Sequence, residues 1–157
     1  MGLSGLTHRR VAEVAGVPVG STTYYFRDLN ELREVAFAAA AHAALEGLEH
    51  WRNALANGSK LPATLTRLTT EYVAERDRYR ALNELYVAAS HRPELRPLAR
   101  LWSDGLVDIL TPHTGRRTAE AVTAFIDGAV LRALIDDKPL STTVLADALA
   151  KLVRNGD

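Results

Sequence analysis

Between Thr7 and Phe26 the chain carries two short helical patterns that meet at a tight corner. Thr7 is a good N-cap, and Val11, Ala12, Val14 and Ala15 give the first helix an apolar side. Gly16 stops it. Pro18 suits the first position of the next helix, where its missing N–H costs nothing. That second helix runs to about Tyr25 and ends in a cluster of hydroxyls and rings, Ser21, Thr22, Thr23, Tyr24, Tyr25 and Phe26. Two helices joined this way read as a helix-turn-helix, which points to double-stranded DNA as a partner.

A chain of 157 residues is long enough for an apolar core, and 47% hydrophobic with 24% charged residues is an ordinary globular balance. There is no cysteine, so disulfides and thiolate metal sites are excluded. Nineteen basic and nineteen acidic side chains cancel, which argues against an indiscriminate nucleic-acid binder but not a specific one. Up to Arg27 the charged residues are Arg9, Arg10, Glu13 and Arg27, so the head is locally positive. The N-terminus shows no apolar signal-peptide region, and the Ala-rich run Val35 to Leu45 is too short to span a bilayer. These features fit a cytoplasmic protein that makes no use of a membrane.

The remaining chain reads as all-helical. Asp28 caps a long helix from Leu29 to about Leu55, with Leu32, Ala36, Ala39, Ala43, Gly47, Trp51 and Leu55 on one face. Asn57, Gly58 and Ser59 end it. Further helices are expected at about Pro62–Arg78, Tyr79–Ser90 and Glu94–Leu110, with a loop marked by Pro112 and Gly115. Another runs from about Thr118 to Asp137, Pro139 breaks the chain, and Ser141 caps the last helix. The boundary falls inside the long helix, giving a head over 1–36 and a helical body over 37–157.

At Thr7, Val11-Ala12, Ala15-Gly16-Val17, Gly20, Tyr24, Phe26 and Leu32 the chain resembles the tetracycline-repressor-like (TetR) family of bacterial regulators. Beyond Ala40 the likeness is one of architecture. The resemblance implies a one-component repressor that binds a palindromic operator as a homodimer and responds to a small-molecule effector of unknown identity. It implies a further helix ahead of the first pattern, so the chain is expected to start upstream of Met1. The apolar partners of that helix are worth roughly 1.5–3 kcal/mol each. Leu29 departs from the family, which often has a phosphate-binding Lys there.

In the family's docking mode the second helix enters the major groove. Pro18, Val19, Ser21 and Thr22 then lie nearest to base edges, and Gly20 allows close backbone approach. Arg9 is placed to reach a guanine with its fork, while Thr7, Thr23, Tyr24 and Tyr25 contact phosphates. The amide end of the long helix behind Asp28 adds a phosphate contact. Trp51, Tyr72, Tyr86, Trp102 and Phe125 are candidates to line an effector cavity, although each also suits an ordinary core. Ala121, Phe125, Ala129, Ala133, Leu145 and Leu149 are candidates for the dimer face; the alternative is that they cover only the protomer's own core.

Other chemistries find little support. His42, Glu46 and His50 are spaced four apart, as a zinc site on one helix requires, but a further ligand is missing and exposed polar residues are the simpler reading. Ser90-His91 and Ser103-Asp104 are neighbours in sequence, not triads, and no phosphate loop is present, so neither enzyme nor cofactor is expected. A second class remains: a dimeric small-molecule- or partner-binding protein with an impaired head.

Overall fold

Hydroxyl and carboxylate caps set where the first helices begin. In the computed structural model, which describes residues 6–57, 60–136 and 140–154, Thr7 Oγ1 accepts the Arg10 amide at 3.2 Å and opens α1, His8–Ala15. Gly16 closes α1 in the left-handed region, φ 65°, where a Cβ would be strained. Pro18 is the N-cap of α2, Val19–Tyr25, one place earlier than its expected first helical position. Its extended ψ of 144° turns its carbonyl toward the Ser21 amide. Asp28 Oδ1 accepts the amides of Asn30 and Glu31 at 2.8 and 2.9 Å and starts α3, Leu29–Ala56.

The body continues with α4 (Leu61–Ala74), α5 (Arg76–His91), a 3-10 turn at Pro93–Leu95, α6 (Arg96–Thr114), α7 (Arg116–Ile135) and α8 (Thr142–Arg154). Among the described residues there are no strands, and the fold is all-α. The expected breaks at Gly58, Ser59 and Pro139, the helix end at Asp137 and the residues before Leu6 lie outside the described residues.

α3 packs against α5 and α6, α6 lies along α7, and α4 is held by α7 and α8. Leu65, Leu68, Leu85, Leu106, Leu110, Ile126 and Leu149 are sealed at the centre. The inward stripe of α3 is Phe37, Ala41, Ala44, Leu48, Trp51 and Leu55, whereas Ala39 faces outward. Of the expected face Leu32, Gly47, Trp51 and Leu55 are buried and Ala36 and Ala43 half-buried, so the departure is confined to the middle of the helix, where Phe37, Ala41 and Ala44 point inward instead. Gly47 and Gly105 bring α3 and α6 close. A Cβ on Gly47 would press on the Trp102 ring at 3.1 Å, and one on Gly105 would collide with Leu48.

Two boundaries differ from expectation. The α4–α5 break falls at Glu75, with no glycine or proline to announce it. Pro112 lies inside α6 instead of in a loop. The carbonyl it leaves without a helical donor belongs to Asp108, which is exposed, so solvent can take the donor's place.

Candidate functional site

The head is built around one buried hydroxyl. Thr22 is sealed between α1 and α2, and its Oγ1 donates to the carbonyls of Val19 at 2.8 Å and His8 at 3.3 Å. Thr22 therefore locks the two helices at their corner, and its expected place near base edges is corrected: its side chain faces inward. Ala12 is the buried residue of α1, while Val14, on the opposite side of the α1 turn, is exposed.

The other candidates of this head are displayed outward. Pro18, Val19, Gly20, Thr23, Tyr24 and Tyr25 are exposed and Ser21 is half-buried. Tyr24 is 84% exposed and Tyr25 73%, with their rings edge to face at 5.3 Å. Thr7 is exposed, its hydroxyl serving the α1 cap. Arg9 and Arg10 are exposed and form no ion pair among the described residues. α2 holds no charged side chain and leaves its aromatic end in solvent, an arrangement that burial within this protomer does not explain. The start of α3 behaves differently from expectation. The Asp28 carboxylate takes the Asn30 and Glu31 amides, and Glu31 accepts the Arg27 amide at 2.7 Å. Those bonds hold both carboxyls below their usual range. A phosphate at this helix end would meet two carboxylates, so it is not the anion site expected.

The body encloses a cavity of about 420 Å³ among α4, α5, α6 and α7. Tyr72, Tyr86 and Trp102 line it, together with Asn83, Ser90 and Asp127. Tyr72 and Trp102 meet at 5.3 Å, and Tyr79 stacks on Tyr72 at 4.0 Å. Burial pushes the Tyr72 and Tyr86 phenols up from their usual values. Two expected cavity residues stand elsewhere. Trp51 packs edge to face behind Trp102 and lines a smaller space of about 250 Å³ beside α3 and α4. Phe125 packs half-buried against the core, one residue from the Ile126 that does line the cavity.

Asp127 was not among the expected residues. Its Oδ2 accepts from the Tyr86 hydroxyl at 3.5 Å, and burial raises its carboxyl to about 6. The signal was present in the sequence as an acid inside the otherwise uncharged run Val122–Leu131, with no basic residue three or four places away on either side.

The expected dimer residues divide. Ala121 is exposed and Phe125 half-buried, but Ala129, Ala133, Leu145 and Leu149 are buried within the protomer. These four are corrected to core positions, because α7 turns them toward the neighbouring helices and α8 packs on α4. The outward apolar side chains of these helices are Leu131, Ile135 and Val144. His42 lies 3.9 Å from Glu46, whereas His50 faces Glu71 at 3.7 Å. No group of metal-ligating side chains converges among the described residues.

A family model described as the tetracyclin repressor-like C-terminal domain matches residues 56–155. The HTH-type transcriptional regulator BetI of Escherichia coli is 28% identical over 154 residues, covering 91% of this chain and 79% of that protein. A TetR-family structure from Streptomyces coelicolor superposes with a TM-score of 0.80 at 35% identity, covering 97% of this chain and 88% of the other. The multidrug binding protein EbrR, solved with imidazole, gives a TM-score of 0.75 at 36% identity over 96% and 84% of the two chains. Other EbrR structures hold proflavin, ethidium and malachite green. The chain belongs to the TetR family of ligand-responsive transcriptional regulators. No helix among the described residues is long and apolar enough to cross a membrane.

Proposed function

We propose that the protein is a homodimeric, non-enzymatic repressor that reads a palindromic operator with α2 and releases or retains it according to occupancy of the α4–α7 cavity. The head ends near residue 36, and residues 37–157 form the sensing and dimerising body. The observation that carries this reading is the outward display of α2: uncharged, braced from behind by Thr22, with Tyr24 and Tyr25 in solvent. Arg9 beside it supplies a guanidinium free to reach a base. Binding of several small molecules by EbrR supports the cavity as the effector site of this chain.

The second copy sits on the outer face of α7 and α8, where Ala121, Gly128, Leu131, Ile135 and Val144 are exposed. Small residues let helices approach, and the three larger side chains supply apolar area. Gly128 and Leu131 also line the cavity, so the partner reaches its mouth. Effector binding then shifts the dimer between two head spacings through α3, in proportion to its preference for one of them.

The test is binding to duplex DNA. Tyr24→Ala weakens binding to every operator variant alike, because a phosphate contact positions without reading sequence. Affinity independent of salt in the unsubstituted protein, or unchanged by Tyr24→Ala, contradicts α2 as the DNA-binding element.

A further inference from the structure

We propose that the α4–α7 cavity selects flat aromatic cations, with the Asp127 carboxylate as counter-ion and the Tyr72 and Trp102 rings as the surface on which the cation stacks. This rests on the reading of that cavity as the effector site and specifies what it takes. Three observations lead to it.

Among the described residues Asp127 is the single charged one lining the cavity. It forms no ion pair among the described residues, and its one hydrogen bond there is the long one from Tyr86. A half-buried carboxylate in that position is short of a positive partner, and a cationic ligand supplies one. The second observation is the aromatic wall. Tyr72 and Trp102 are packed in place by each other, by Tyr79 and by Trp51, so their faces are fixed before a ligand arrives. Fixed ring faces attract cations and stack on planar ones. The third is size and polarity: about 420 Å³ suits a small fused-ring molecule, and the other polar side chains, Asn83, Ser90 and Tyr86, are neutral. An anionic ligand would meet Asp127 with no cation among the described lining residues to offset it.

The groups facing Asp127 are Tyr86 from α5 and Tyr72 from α4, while Ser103 and Asp104 of α6 act on the same Tyr86 phenol. The two phenols stay neutral through the physiological range, so Asp127 sets the charge of the cavity there. Because its carboxyl is raised to about 6, it is ionised at neutral pH and loses its charge below that value.

The test uses the full chain and two probes of equal shape, 10-methylacridinium, which is permanently charged, and acridine, which is neutral in weakly alkaline buffer. The unsubstituted protein binds the cation on the order of tenfold more tightly than acridine. Asp127→Asn removes that preference by lowering the affinity for the cation toward that for acridine, and helical circular dichroism with a cooperative thermal melt reports that the variant is folded. Affinity for the cation falls as the pH drops through 6 in the unsubstituted protein and stays level in Asp127→Asn, so the pH profile and the probe ratio decide even if the variant does not fold. Equal affinity for the two probes, retained preference in Asp127→Asn, or binding of neither probe overturns the inference. Equal affinity alone leaves the cavity as a neutral effector site. If Val87→Trp, which places a large ring at the cavity mouth, leaves both affinities unchanged, the probes bind elsewhere and the effector-site reading falls as well.

Discussion

Asp127 illustrates how a single side chain can carry a function against the interest of the fold. Its folded-state carboxyl stands near 6, above the ordinary value, so the fold favours the protonated form. The sign follows: stability is undiminished below the unfolded value, declines as pH rises through about 6, and is level above it. Asp127→Asn is therefore expected to stabilise the ligand-free protein at neutral pH by about 1–2 kcal/mol after allowance for partial exposure, with no gain near pH 4. Thermal melts of the two proteins across that range check this. Aromatic residues alone do not single out this cavity in the sequence, because rings are common to cores and cavities alike. Thr22 is the converse case. Its hydroxyl is chemically the same as that of Thr23, and only the docking of α1 on α2 decides that one turns inward. Thr22→Val should cost about 1 kcal/mol in head stability by removing the two hydrogen bonds its hydroxyl shares between the His8 and Val19 carbonyls. Arg9→Ala is expected to cost about 1–3 kcal/mol at one base pair only, seen as lost discrimination in a panel of single-base operator variants.

Helices were most legible where a residue has one strong reason to stand. Thr7, Gly16, Asp28 and Gly115 each mark an end that the structure keeps, through a cap or a positive φ. Glu75 breaks α4 from α5 with no such marker, and Pro112 marks an end that is absent. Gly47 could have been a bend in α3 or a notch in its surface; the Trp102 ring beneath it makes it a notch. Gly105 answers it from α6, with Leu48 filling the space a side chain would need. Helix propensity alone favours alanine at such a site by roughly 0.5–1 kcal/mol. Gly105→Ala is nevertheless expected to destabilise by about 1–2 kcal/mol, because the buried Leu48 must move. Combined with Leu48→Ala, its added cost should shrink, a coupling that a double-mutant cycle in denaturant measures directly.

At the scale of the whole molecule, the family architecture was carried by the first thirty residues and the order of helices, but the face of α7 proposed to meet a second copy was not. α7 is apolar or small on nearly every side, so periodicity cannot say which stripe faces inward. The structure buries Ala129 and Ala133 and leaves Leu131 52% and Ile135 73% exposed. Ile135→Asp is expected to leave the protomer folded and convert the dimer to monomers in sedimentation, since the side chain touches the core little but would place a charge at the interface. The most direct single test of a two-fold DNA reader is selection from random duplexes by the unsubstituted protein. A homodimer with α2 in the groove enriches an inverted repeat whose half-sites lie on one face of the duplex, about 10 base pairs or a multiple of that apart. Enrichment of a single unpaired site, or no enrichment at all, would contradict it.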